Sequence, residues 1–441
     1  VEDEKSSIKV VSMSNTAARL SRKVLAIVLA GGEGNILKDL TKWRAKPAVP
    51  FGGKYRIIDF ALSNCINSDI RKVLVLTQYK SHSLIRHLQR AWGFLRYEAG
   101  EFVEILPAQQ RVNKDWYKGT ADALYQNIDI IERRYTEYIL ILGGDHIYKM
   151  DYEKMVQAHV DSNSDITVGC IEVPLKDATA FGVMSVDEKG RITQFIEKPV
   201  DPQAIPGKPD TALASMGIYV FSKQYLIDKL IEDNNNPTSS RDFGKDIIPS
   251  SIGNSKISAY PFINEQNGKP AYWRDVGTVE SYWKANMELC SVEPELNLYD
   301  YDWPISTYQS QLPPAKFIFD EENRRGVAID SLISSGCILS GSKVKRSVVF
   351  SGCKLRSCSF IKDSVILPNV EIGRYCRITK AVIDKGVKIP DGTVIGENHE
   401  EDAKRFFVDS HGITLVTAEM LDQGVENGTP NVLNQHVVYE I

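Results

Sequence analysis

Apolar residues along this chain fall into two regimes, and the change comes near residue 315. From about residue 24 to 290, short apolar runs alternate with amphipathic stretches. The runs at 24–30, 72–77, 138–143, 165–172, 182–186, 192–196 and 214–221 are β-prone and predict strands. The first, 24–30, is almost wholly apolar, as befits a strand covered on both faces of a parallel sheet. Apolar residues at helical spacing predict helices over 59–67, 83–91, 121–131, 152–162, 223–234 and 278–289. Such alternation predicts an α/β domain with a largely parallel sheet. Ligands of these sheets sit beyond the carboxyl ends of the strands.

Later in the chain the period shortens. Aliphatic or aromatic residues recur at 333, 338, 344, 349, 355, 360, 366, 372, 378, 383, 389 and 395, in steps of five or six. That is the rhythm of a left-handed parallel β-helix whose coils stack on one another. An ordinary β-sandwich needs turns every 8 to 12 residues, a longer step. Residues 291–326, with Pro294, Pro304, Pro313 and Pro314, read as a linker. Residues 1–23 read as an N-terminal extension, 24–290 as the α/β domain, 327–423 as the solenoid with a helix near 400–407, and 424–441 as a polar tail. Val349 and Phe350 read as an exposed edge of the solenoid, suited to assembly.

Size and charge narrow the function classes. A chain of 441 residues holds two or three domains, so core size sets no constraint. A net charge of −4 argues against a general nucleic-acid or membrane-surface binder. Seven cysteines form no CxxC pair, and the odd count suits a reducing compartment. His82 and His87 miss the one-face spacing of a zinc helix. No apolar run approaches the roughly 18 residues of a membrane span. A cytoplasmic protein is expected.

The chemistry-bearing segments lie at strand ends. After the strand 24–30, Gly31, Gly32 and Gly34 let the backbone turn tightly and approach a ligand. Arg44 and Lys46 follow and can grip phosphates, yet the loop tip carries Glu33, Asn35 and Ile36 and no cation. Asp145 follows two glycines after the strand 138–143, and Asp275 stands beside a glycine turn. Each suits a hard divalent cation with phosphate co-ligands, and the pair could share one Mg²⁺; capping a turn or helix serves either equally well. Glu197 and Lys198 precede Pro199 and could meet a sugar hydroxyl and a phosphate, or form a solvated surface pair. Gly119 and Thr120 open a helix whose free N–H groups suit a phosphate or an ordinary cap. Gln109 and Gln110 offer amides to a base edge.

Together these segments resemble the ADP-glucose pyrophosphorylase (glucose-1-phosphate adenylyltransferase) family of the bacterial glycogen type. The resemblance runs through Arg44-Ala-Lys-Pro-Ala-Val49, Phe51-Gly-Gly-Lys-Tyr-Arg-Ile-Ile-Asp-Phe60, Trp116-Tyr-Lys-Gly-Thr-Ala-Asp122, Gly144-Asp-His-Ile-Tyr-Lys149, Asp242-Phe-Gly-Lys-Asp246 and Tyr272-Trp-Arg-Asp-Val-Gly277, and covers about residues 24–421. It implies a Rossmann-like nucleotidyltransferase domain followed by the β-helix. It implies Mg²⁺-dependent formation of ADP-glucose and diphosphate from ATP and glucose 1-phosphate. By resemblance Asp145 and Asp275 hold the metal and Lys46 assists the phosphates. Lys198 neutralises the sugar phosphate, and Glu197 holds the glucose hydroxyls with Ser215, Tyr117 and the backbone at Gly182. Gln109 reads the adenine, with Gly31, Gly32 and Gly34 against the nucleotide. Arg44, Arg56 and Arg133 match positions that bind a nucleotide inhibitor. A homotetramer, or a mixed tetramer with a catalytic paralogue, is implied, with no nucleic-acid or membrane partner.

Three departures stand out. The family loop reads Gly-Gly-X-Gly-Thr/Ser-Arg-Leu, and here Ile36 replaces the Arg that grips the ATP phosphates. Glu33 stands where many members carry Arg. Trp43, Ala418 and Asp422 stand where enteric members bind an anionic sugar-phosphate activator with basic residues. Reduced activity is therefore expected. The alternatives are a catalytically impaired regulatory subunit and a non-catalytic sugar-phosphate sensor.

Overall fold

The computed structural model describes residues 20–32, 35–109, 116–321, 324–423, 425–426 and 429–430. Glu33, Gly34, Gln110, most of the N-terminal extension and most of the tail lie outside the described residues, as do the side chains of Asn35 and Ile36.

Val24–Ala30 is the central strand. Lys72–Thr77 and Tyr138–Gly143 flank it in parallel, and Phe102–Pro107 adds a parallel edge beside Lys72–Thr77. Beyond Tyr138–Gly143 the sheet becomes mixed: Thr211–Ser222 runs antiparallel to it and to Ile166–Pro174. Gly182–Val186 and Ile192–Glu197 form a hairpin at the far side. The first strand is apolar throughout because both faces are covered. Val24, Ala26 and Val28 pack with Tyr148 and Met155, while Leu25 and Ile27 pack with Leu226 and Phe243.

Two local details aim the functional loops. The helix expected over 121–131 is two helices, Thr120–Tyr125 and Ile128–Glu132. Between them Asn127 donates to Ala123 O and to the Tyr117 hydroxyl, each at 2.9 Å, a side-chain bond that competes with a continuous helix. A two-stranded ribbon pairs His146–Tyr148 with Trp273–Asp275, so that Asp275 lies opposite His146.

The second half is the expected β-helix, three parallel sheets wound from one chain. Lys343, Phe360, Arg377 and Val394 stack in register, seventeen residues apart, so each coil is one turn of three short strands. The inward positions differ from the expected rhythm in two places. Ile338 and Phe360 are exposed, and Leu339 and Ile361 point inward instead. The first rung, Lys316–Ile318, pairs with Ile338–Ser340 and lies within the segment read as a linker. The last coil is widened, with Val382 pairing to Leu415, by an insertion that carries the helix His399–Ala403.

The two halves share one hydrophobic core. Phe51, Phe60, Val279 and Tyr282 from the α/β half pack with Val348, Phe350, Val365, Val382 and Leu415 from the solenoid. Val349 and Phe350 are thus buried rather than an exposed edge: Phe350 faces the α/β half and Val349 faces the solenoid interior. Each such fully buried side chain contributes about 1.5–3 kcal/mol. At the margin Arg44 donates to Asp384 at 2.8 Å, both buried. Breaking a buried pair of this kind costs about 3–5 kcal/mol, because one charge is left without its partner.

Candidate active site

A cavity of about 520 Å³ opens beyond the carboxyl ends of the parallel strands, as the topology requires. Gly31 and Gly32 form one wall. A Cβ on Gly31 would come within 3.2 Å of the Gln78 Cβ, so glycine keeps this loop close to the neighbouring strand end. Gln78 in turn accepts from Tyr117 N at 2.8 Å and fixes the segment before the helix Thr120–Tyr125. On the opposite wall a Cβ on Gly119 would meet Arg241 O at 2.2 Å. Here Thr120 Oγ1 donates to Asp242 Oδ2 at 3.0 Å and binds that wall to the turn at 243–247.

Lys46 and Asp145 line the floor, and Asp275 adjoins them through Lys46. The ribbon that pairs His146 with Asp275 brings Asp145 and Asp275 together, and Lys46 Nζ lies between them. It donates to Asp145 Oδ2 at 2.9 Å and to Asp275 Oδ1 at 2.7 Å. Burial works against the Lys46 ammonium, but the two carboxylates outweigh it and hold its pKa above the ordinary lysine range. Burial likewise opposes the charged form of Asp145, yet Lys46 and His146 hold its carboxyl well below the usual carboxylate range. His146 Nε2 lies 3.5 Å from Asp145 Oδ1, and its ring packs on Trp273 with centroids 5.0 Å apart. One ligand atom each from Asp145, His146 and Asp275 lie within 4.8 Å of one another. An ammonium already seated between two carboxylates shows that the place accepts a cation, and the oxygen donors suit a hard divalent ion.

At another wall of the cavity Glu197 sits between two glycines. A Cβ on Gly182 would approach its Oε2 to 2.8 Å, and one on Gly244 to 2.5 Å. Burial first, then the carboxylate of Asp242, raise the Glu197 pKa. Glu197, Tyr117, Gly217 and Asp242 all line the cavity.

Lys198, Ser215 and Gln109 are not among the residues that line the cavity. Lys198 is exposed, lies in left-handed backbone (φ 49°) and makes no ion pair among the described residues. It borders the cavity through Glu197 and does not line it. Ser215 is buried behind Gly217, whose N–H it accepts at 3.2 Å. Gln109 is exposed at the edge of the undescribed stretch 110–115, and Gly34 lies outside the described residues. Sequence reasoning missed His146, Asp242 and Gly244. His146 adjoins Asp145 in sequence, and the quoted segment 242–246 contains the other two, so proximity to marked residues was the available signal.

A second, basic cluster lies where the halves meet. Arg44 keeps Nε and one terminal nitrogen buried without a partner among the described residues. Arg56 donates to Ala48 O and Ser83 O, and burial, followed by Arg44, Arg86 and Arg90, lowers its pKa to about 10 against the pull of Asp59. Lys385 is exposed as a residue, yet desolvation of its ammonium and the charge of Arg44 push its pKa down to about 8. Arg133 is 80% exposed and faces Asp129 at 3.8 Å, just past the end of its own short helix.

Residues 25–292 match the nucleotidyl transferase family, and residues 313–416 match the GlmU-like C-terminal hexapeptide family. The chain is 67% identical over 411 residues to the glucose-1-phosphate adenylyltransferase of Hydrogenovibrio crunogenus, covering 93% of this chain and 97% of the relative. It is 66% identical to that of Thiobacillus denitrificans, covering 92% of each chain. It is 60% identical to that of Methylococcus capsulatus, covering 93% and 97%. Among the described residues no helix is long and apolar enough to cross a membrane.

Proposed function

The chain belongs to the nucleotidyl transferase family and, within it, to the glucose-1-phosphate adenylyltransferases; on that premise we propose that it converts ATP and α-D-glucose 1-phosphate to ADP-glucose and diphosphate, for glycogen synthesis, as a tetramer in the cytoplasm. The observation that carries the reading is one cavity lined by Gly31, Gly32, Lys46, Asp145 and Glu197, with Asp275 tied to it through Lys46. ATP lies along Gly31 and Gly32, and the sugar lies against Glu197 and Tyr117. The reacting phosphates then meet over Asp145 and Asp275.

The reaction is an in-line displacement, in which the enzyme supplies position and charge stabilisation. Asp145 and Asp275 would hold Mg²⁺, which would supply Lewis-acid and template chemistry there. Lys46 adds a cation beside the phosphates. Glu197 accepts from sugar hydroxyls, and the missing side chains at Gly182 and Gly244 make room for its carboxylate. Lys198, next to it on the exposed side, meets the sugar phosphate. The test is ADP-glucose formation by the purified chain from ATP and glucose 1-phosphate. Glu197→Gln is expected to raise KM for glucose 1-phosphate about tenfold, the loss of about 1.4 kcal/mol in charge-assisted binding. An unchanged KM for the sugar phosphate, with an altered KM for ATP, would place Glu197 on the wrong substrate.

The basic cluster supports a separate proposal, an anionic effector site built on Arg44, Arg56 and Lys385. Arg44 has two donors left to offer, and Lys385 is half protonated near pH 8. A nucleotide inhibitor is expected to bind more weakly as pH rises from 7 to 9, because Lys385 loses its proton while the phosphate keeps its charge. Lys385→Gln flattens that dependence, and a wild-type profile already flat over this range refutes the assignment. Fructose 1,6-bisphosphate at millimolar concentration is expected to leave the rate nearly unchanged. Glu419 stands beside Lys42 and Trp43, accepting from Trp43 Nε1 at 2.6 Å, and presents a carboxylate where an activator anion would enter.

A further inference from the structure

Two carboxylates arranged for a divalent cation already share a cation that belongs to the chain. Lys46 Nζ lies 2.9 Å from Asp145 Oδ2 and 2.7 Å from Asp275 Oδ1, with 11% of its side chain exposed. A divalent ion bridging the same two groups would occupy the same few ångströms. Two positive charges at that separation repel strongly in a half-buried site. Either cation satisfies the aspartates, and the second must leave.

We propose that Lys46 is the internal counter-cation of the metal site: a divalent cation and the Lys46 ammonium compete for Asp145 and Asp275, and cation loading releases Lys46 toward the phosphates. This rests on the reading of Asp145 and Asp275 as the metal ligands.

The local structure lets the exchange proceed by side-chain rotation alone. Lys46 opens a short turn, Lys46–Ala48, whose backbone is buried and tied by Val49 N to Lys46 O at 3.0 Å. Just upstream the chain is anchored to the solenoid at three consecutive residues. Lys42 and Trp43 both bond to Glu419, and Arg44 bonds to Asp384. The backbone is therefore pinned at both ends, and the four-carbon lysine stem supplies the movement. Among the described residues the ammonium itself is held by the two carboxylates alone. His146, with a ligand atom within 4.8 Å of the others, adds a nitrogen donor that favours Mn²⁺ over Mg²⁺, so Mn²⁺ is the suitable probe.

The experiment measures Mn²⁺ binding to the full chain without nucleotide, from the electron paramagnetic resonance signal of free Mn²⁺. Lys46→Met is expected to bind Mn²⁺ at least tenfold more tightly than wild type, and Lys46→Arg no more tightly than wild type. Asp275→Asn is the control, expected to lose binding in the wild-type and Lys46→Met backgrounds alike. If Lys46→Met binds no more tightly while the control still loses binding, the competition is overturned and the metal site stands. If the control binds as well as its parent, the metal assignment itself fails and the proposal with it. A second readout uses the wild type and needs no variant to fold. Acylation of Lys46 by acetic anhydride, followed by mass spectrometry, is expected to speed up several-fold on adding Mn²⁺, because the amine is driven off its carboxylates. Protection or no change overturns the proposal.

Discussion

Asp145→Asn lowers the rate of ADP-glucose formation by about 10³-fold or more while leaving the melting temperature within a few degrees of wild type. The asymmetry between the two readouts is the substance of the expectation. Asp145 sits on a glycine turn at the end of Tyr138–Gly143 and packs no core; its oxygens face Lys46 and His146. The fold is held elsewhere, by the two faces of the sheet and by the shared core around Phe51, Tyr282 and Phe350. An amide in place of the carboxylate keeps the size and loses the charge. It leaves Lys46 with Asp275 as its remaining charged partner and removes one of the two anionic ligands proposed for the cation. Lewis-acid stabilisation of a transferring phosphoryl group is worth several kcal/mol, and about 4 kcal/mol corresponds to about 10³ in rate. A rate within tenfold of wild type would mean that the reacting phosphates do not lie over this floor. A large loss of melting temperature would mean that Asp145 is a structural residue, as a turn-capping aspartate would be.

The pairing of Asp145 with Asp275 shows how far sequence reasoning reaches. Each aspartate was marked by its glycine neighbours, but what joins them is a ribbon of three residues per strand, too short to leave a period in the sequence. The strands Val24–Ala30, Lys72–Thr77 and Tyr138–Gly143 were legible to the residue because burial on both faces makes them continuously apolar. Phe102–Pro107 was not, since an edge strand tolerates Glu104 and ends in proline. In the solenoid the five-to-six step was plain. Its phase slipped at Ile338 and Phe360, where the next residue is also apolar and a shift of one reverses which side chain faces inward. The Glu197 wall was harder still. Glu197 could be named, but its pKa is raised first by burial and then by the carboxylate of Asp242, which arrives from 45 positions further along the chain, in a wall that only the tertiary fold builds. Arg133, matched by position in the sequence, is exposed beside Asp129 in the folded chain.

Ile36→Arg raises the rate of the purified chain at least tenfold, and by as much as about 10² to 10⁴-fold if the new guanidinium reaches the leaving diphosphate. The residue belongs to the stretch Asn35–Thr41, which follows the glycine loop at the mouth of the cavity. Displacement of diphosphate builds negative charge on the leaving group, and an aliphatic side chain at the loop tip cannot answer it. A charge-assisted, bidentate contact made only in the transition state is worth about 3–5 kcal/mol, by comparison with lost oxyanion donors. The gain should therefore appear mainly in kcat, with a smaller fall in KM for ATP, because ground-state and transition-state binding differ in how much charge they meet. Glu33→Arg in the same background should add less, since it changes the approach of ATP more than the leaving group. The result also separates the three functional readings. A rise in kcat of the chain alone identifies a working enzyme with a weakened phosphate grip. A rise seen only when a catalytic relative is mixed in identifies a regulatory subunit. No rise under either condition, with glucose 1-phosphate still bound, identifies a sensor, and the leaving-group argument then fails. Lys46, Asp145 and Glu197 line one cavity with Gly31 and Gly32, so restoring a single cation tests whether that cavity is an active site.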